Sequence, residues 1–124
     1  MTIGTKVLVI GGTLPNGQKT DIIEEFDLKT GKWKMCAVSL PKRMAGMKAL
    51  SIGRESIYVC GGSDGKTSKR DLYVLDMAQR RFHQLSPIKT GRDELAFVIS
   101  PLYKQLYVIG GSTEKCCLSS VEAY

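Results

Sequence analysis

Lys6-Val-Leu-Val-Ile-Gly-Gly12, Ser56-Ile-Tyr-Val-Cys-Gly-Gly62 and Gln105-Leu-Tyr-Val-Ile-Gly-Gly111 are three versions of one phrase, an apolar run of strand length ending in a glycine pair. The pairs open at Gly11, Gly61 and Gly110, a spacing of 50 and then 49 residues. A fixed period of this length marks a repeat architecture, in which each unit buries its faces against its neighbours. Other positions recur in phase. Phe26-Asp27 followed by Trp33 matches Leu75-Asp76 followed by Phe82, and Arg43 answers Arg92 after 49 residues. Val121-Glu-Ala-Tyr124 takes the place of Glu24-Glu-Phe26 in the third copy.

Between these landmarks lie short runs rich in Val, Ile, Leu and Tyr, separated by Gly, Pro, Asn-Gly and Asp-Gly, which predicts strands and tight turns. The expected strands are 6–10, 22–27, 33–38, 47–52, 56–60, 72–76, 82–86, 95–99, 105–109 and 119–123. No segment sustains apolar recurrence at helical spacing for three turns. The fold class is therefore all-β. Pro15-Asn16-Gly17 and Asp64-Gly65 read as hairpin tips, where Gly or Asn accepts positive φ.

The three copies resemble kelch repeats from about Thr5 to Tyr124, on the strand-terminal Gly pair, the later Asp27 and Asp76, and the aromatic seven residues after the preceding apolar position. Leu75 stands where that family usually has Tyr, and Phe82 where it has Trp; both replacements are apolar. The resemblance implies β-propeller blades of four antiparallel strands, named a to d outward from a central channel, with each Gly pair ending strand b. On that scheme 1–39 is a first blade lacking strand a, 40–88 a complete second blade, and 89–124 a third lacking strand d, about two and a half blades in all. Propellers close with four to eight. Unclosed blades leave apolar faces uncovered at both ends, so a fragment of a longer protein is expected, with completion by assembly as the alternative.

Gly11, Gly12, Gly61, Gly62, Gly110 and Gly111 then have a structural part, because glycine permits a bulge or sharp turn where a neighbouring blade crowds the backbone. None opens a helix, as a phosphate-binding glycine loop must. Trp33, Phe82, Tyr58 and Tyr107 are expected in the core.

At 124 residues with 43% hydrophobic content, the chain suits one globular domain with a modest core. No apolar run approaches the roughly 20 residues of a membrane span. The start lacks the basic, apolar and small-residue order of a secretion signal. Cys36, Cys60, Cys116 and Cys117 contain no C-x-x-C, so reduced thiols and a cytoplasmic setting are expected. The formal charge of +6 comes without a basic recognition helix or aromatic platforms, which argues against nucleic acid.

Chemistry is hard to assemble. His83 is the only histidine, and a tetrahedral metal site lacks ligands around it. Galactose oxidase shares the kelch architecture, but its copper site resembles two histidines, two tyrosines and a cysteine crosslinked to tyrosine, which one histidine cannot supply. Adjacent acids such as Glu24 and Glu25 point to opposite faces of a strand. No enzyme, metal or cofactor is expected.

Binding is the better reading. Antiparallel topology puts 13–21, 40–46, 63–71, 88–94 and 112–119 on one face and the tight turns 28–32, 53–55, 77–81 and 100–104 on the other. The first group is longer, and long loops on a rigid scaffold are where binding residues usually sit. Arg43, Arg92, Lys66, Lys69 and Arg70 are the candidate partner-binding residues. By resemblance, many kelch propellers grip a peptide with these loops, and arginines at the Arg43 and Arg92 position engage acidic side chains, which a planar guanidinium can bind bidentately. The competing reading makes Arg43 and Arg92 blade-joining residues paired with local acids such as Asp93. Under the binding reading, removing both should weaken partner capture with little loss of stability. The resemblance implies a protein-interaction module. Its leading form is the substrate-recruiting propeller of a BTB-kelch cullin ubiquitin-ligase adaptor, whose BTB and BACK segments lie outside these residues. Actin binding is the alternative.

Overall fold

The computed structural model describes residues 1–124 as three antiparallel sheets and no helix. The first holds β1 (Thr2–Ile3), β2 (Lys6–Thr13), β3 (Lys19–Asp27) and β4 (Lys32–Met35). The second holds β5 (Lys48–Ile52), β6 (Ser56–Cys60), β7 (Leu72–Asp76) and β8 (Arg81–Gln84). The third holds β9 (Ala96–Ser100), β10 (Gln105–Ile109) and β11 (Val121–Ala123). Each sheet is a meander in chain order. This is a partial all-β propeller.

Two elements depart from the sequence expectation. A two-residue β1 occupies the place of strand a in the first sheet, pairing Thr2 with Val7 and Ile3 with Lys6 across a turn at Gly4, φ +57°. Its brevity hid it, since two residues carry no periodic signal. The hairpin of β2 and β3 also runs past its glycine pair to Thr13↔Lys19, with a bulge between Ile10 and Gly12. Its tip is held locally: the Gly17 N–H donates to the Leu14 carbonyl and the Gln18 N–H to Asn16 Oδ1.

The aspartates at the end of β3 and β7 close the next turn. Asp27 Oδ1 accepts from the Lys29 and Thr30 N–H groups, and Asp76 Oδ1 from Ala78 and Gln79. A short acceptor two residues back satisfies turn amides that no strand can reach.

The sheets stack through two cores. Ile3, Leu8, Ile23 and Leu40 meet Ile57, Val59 and Leu75 between the first and second sheets. Cys60 and Leu72 meet Leu95, Phe97, Leu106 and Val108 between the second and third. Alternation along each strand divides the residues. On β6, Ile57 and Val59 face the first sheet, while Tyr58 packs toward the third. Each fully buried aliphatic side chain contributes about 1.5–3 kcal/mol, so these joints hold the sheets together.

Trp33 is a correction. Expected in the core, it is 56% exposed, tilted against Phe26 at a centroid distance of 5.1 Å. Phe82, its counterpart, packs against the first core. The difference lies in the neighbour: the face bearing Phe82 meets the first sheet, and the face bearing Trp33 meets none. Tyr58 packs on the second core, whereas Tyr107 is only half-buried, with its hydroxyl donating to Gln105 Oε1.

Candidate functional site

The longer connections at 14–18, 36–47, 61–71, 85–95 and 110–120 lie on one side of the sheets, and backbone bonds tie them together. Gly12 N–H donates to the Met44 carbonyl, and Gly62 N–H to the Arg92 carbonyl, each at 2.9 Å. Glu94 N–H reaches the Gly46 carbonyl at 2.7 Å. Gly11 and Gly61 are glycines for a steric reason: a Cβ on Gly11 (φ +60°) would lie 2.6 Å from the Met44 carbonyl oxygen, and one on Gly61 (φ +67°) would run into that of Arg92. Gly111 meets the Asp93 backbone in the same way.

These bonds also correct the repeat alignment at the arginines. Arg92 stands where Met44 stands, and the counterpart of Arg43 is Gly91. The slip occurs just upstream. Cys36 and Leu85 donate to Ile23 and Leu72, and Leu40 and Ile88 donate to Asp21 and Arg70, so four steps separate these anchors in the first repeat and three in the second.

The consequence for Arg92 is large. It is 0% exposed and interior to the third sheet's own connection. Its guanidinium donates to the Gly110 and Ser120 carbonyls, at 2.9 and 3.1 Å, to Ser120 Oγ at 3.0 Å and to Glu122 Oε1 at 2.6 Å. Its Nε reaches the Thr90 carbonyl. Glu122 in turn accepts from the Lys89 and Thr90 N–H groups. Burial raises the Glu122 carboxyl, but those two amides and the guanidinium outweigh it and hold the group below the ordinary glutamate range. Arg92 therefore clamps residues 88–94 to β11 and offers no donor to a partner. The acid is Glu122, and Asp93 instead accepts from Ser112 Oγ at 2.9 Å.

The other candidates sit on the open face. Arg43 has a 70% exposed side chain and only a long approach of 3.7 Å to Asp21. Lys66 is exposed beside the turn built on Asp64, whose Oδ1 accepts from the Lys66 and Thr67 N–H groups. Lys69 is tied to Asp64 and to Thr67 Oγ1. These contacts, the Lys69 ammonium foremost, hold the Asp64 carboxyl far below the usual range. Arg70 is exposed, with Nε donating to the Ile88 carbonyl at 2.7 Å. Lys42 pairs with the buried Asp71 at 2.9 Å. Aspartates thus pair closely with two of the cations on this face, Lys42 and Lys69.

The structure adds acids here too. A depression of about 450 Å³ is lined by Lys19, Ser63, Gly65, Asp93 and Glu94 among others. Glu94 is exposed at φ +51°, in the position that Gly46 fills at φ +72° one repeat earlier. A non-glycine residue pays roughly 1–2 kcal/mol for that conformation. Comparing Met44-Ala-Gly46 with Arg92-Asp-Glu94 would have found it, had the repeats been aligned with the slip.

On the opposite side of the first sheet, Glu25 is buried and bridged by Lys6 at 2.9 Å and Lys34 at 2.8 Å, while Glu24 is exposed, as strand alternation requires. Burial raises the Glu25 carboxyl, and the two lysines more than offset it. His83 is an exposed residue of β8 paired across to Val74.

Sheets of three or four antiparallel strands, stacked face to face and sending their longer loops to one side, define a propeller-type interaction scaffold. The kelch motif model matches residues 1–37 and 45–89. Kelch domain-containing protein 10 of Homo sapiens is 30% identical over 131 aligned residues, covering 98% of this chain and 29% of the relative. Kelch-like protein 34 of Homo sapiens is 30% identical over 95 residues, 73% of this chain and 15% of that protein. Kelch-like protein 21 of Danio rerio is 27% identical over 109 residues, 87% and 17% respectively. The chain belongs to the kelch-repeat family, spanning less than a third of the length of these relatives. Membership supports a protein-interaction module.

Proposed function

We propose that the protein captures an acidic peptide segment of another protein on the face carrying Arg43, Lys66 and Arg70. The observation that carries this is the exposure of those three cations beside long loops whose backbones are pinned to rigid sheets. Arg92 belongs to the scaffold beneath. The wider setting we infer is substrate recruitment by a BTB-kelch ubiquitin-ligase adaptor in the cytoplasm.

Fluorescence anisotropy with a panel of labelled glutamate- and aspartate-rich peptides tests the reading. Binding should weaken as salt rises, because exposed charges are screened over roughly 8 Å at physiological ionic strength. It should fall at least tenfold in a chain carrying Arg43→Glu and Lys66→Glu. Absence of binding to every acidic peptide, with co-sedimentation on filamentous actin, would replace this reading with a cytoskeletal one.

A further inference from the structure

Two departures from the repeat meet in one cavity, at the turn end of the joint between the first and second sheets. On the face that the first sheet turns to the second, Lys6, Glu25 and Lys34 hold the positions that Ser56, Val74 and His83 hold one repeat later. The later set has no acid and no lysine, so the repeat itself does not call for the charged trio. The other departure is Arg80. It stands where the first repeat has Gly31 and keeps that glycine's left-handed backbone, φ +52° against +65°. A side chain is disfavoured in that conformation, and an outlier of this kind points to a role beyond the fold.

The cavity measures about 180 Å³ and is lined by Lys6, Glu25, Lys34 and Arg80, with Met35 and Met77 among its apolar residues. Lys6 and Lys34 both reach Glu25 Oε1, at 2.9 and 2.8 Å, which leaves two of the three N–H donors on each ammonium uncommitted. The Arg80 side chain is exposed and engages no acid. Three cations against one carboxylate leave the lining with two positive charges in excess. We propose that this cavity binds the phosphate monoester of a phosphorylated serine or threonine on a partner protein, at a second site separate from the loops that carry Arg43 and Lys66. Such a group brings close to two negative charges and three acceptor oxygens at neutral pH. A planar guanidinium binds phosphate oxygens in pairs, and the short carbon stem suits the methionines. The volume equals that of about six waters in the liquid, which admits a phosphate and the carbons next to it but not a nucleotide.

A phosphorus NMR titration of the full chain with alanine-rich peptides carrying one phosphoserine or phosphothreonine tests this. The phosphorus line should shift to saturation, and inorganic phosphate should displace the peptide only at tenfold or higher concentration. Arg80→Gly restores the residue of the first repeat, so it should raise the melting temperature while weakening the peptide at least tenfold. Lys34→Ala should weaken it severalfold. Arg43→Glu with Lys66→Glu should leave it unchanged, which separates this site from the loop face. A titration without saturation, or one indifferent to Arg80→Gly, would overturn the proposal. Loss of stability together with binding in Arg80→Gly would give Arg80 a structural part and overturn it too. Inorganic phosphate binding as tightly as the peptide would reduce the cavity to a simple anion site, and capture only by vesicles containing phosphatidylinositol phosphate would assign it to a membrane surface; either result overturns the proposal.

Discussion

Arg92 and Arg43 lie one register position apart in their repeats and serve different ends. Arg92 is buried among three carbonyls, a hydroxyl and the Glu122 carboxylate, and removing one partner of a buried pair typically costs about 3–5 kcal/mol because the other charge is left unpaired. Arg43 is exposed and loosely paired, and exposed ion pairs are worth about 0–1 kcal/mol. Urea unfolding should therefore show a large loss for Arg92→Ala and less than about 1 kcal/mol for Arg43→Ala. Equal small losses would mean that the Arg92 clamp is not formed. The expectation that both arginines could be removed at little cost is thus overturned for Arg92. Sequence alone set the two side by side because counting from Gly pair to Gly pair cannot see where, between Cys36 and Leu40, a residue was gained. Only the hydrogen-bond register reveals it.

At the scale of elements, the glycine pairs set how closely a connection can cross the end of strand b. Gly31 and Gly61 have nearly equal φ, +65° and +67°, but a Cβ at Gly31 meets nothing within 4 Å, whereas one at Gly61 strikes the Arg92 carbonyl and comes within 2.8 Å of Leu95. Gly31→Ala should cost roughly 1–2 kcal/mol, the left-handed penalty alone. Gly61→Ala should cost more, and the difference between the two melting temperatures measures the crowding. Similar losses would show that the connection can move aside. These elements were legible early, since apolar runs closed by glycine and by Asn-Gly or Asp-Gly carry their own punctuation. The extension of β2 and β3 to Thr13↔Lys19 was not, because polar residues past a glycine pair look like loop until a partner strand lies beside them.

In the whole molecule, the second sheet alone is covered on both faces. Stability in stacked repeats is close to a sum of unit and neighbour terms, so the middle unit should open last. Hydrogen exchange should find the slowest amides in β6 and β7 and the fastest in β1 and β11. Uniform protection would mean that the sheets unfold as one and that the outer faces are not free. The sequence by itself determined the repeat, the all-β class, the loop face and the expectation of uncovered apolar ends, because each rests on local pattern and period. The tertiary structure decided that Arg92 is scaffold, that Trp33 lies in the open and that aspartates pair with Lys42 and Lys69 on the basic face. Burial and charge pairing depend on what a neighbouring strand or sheet brings to a side chain, and a linear pattern carries no record of that neighbour.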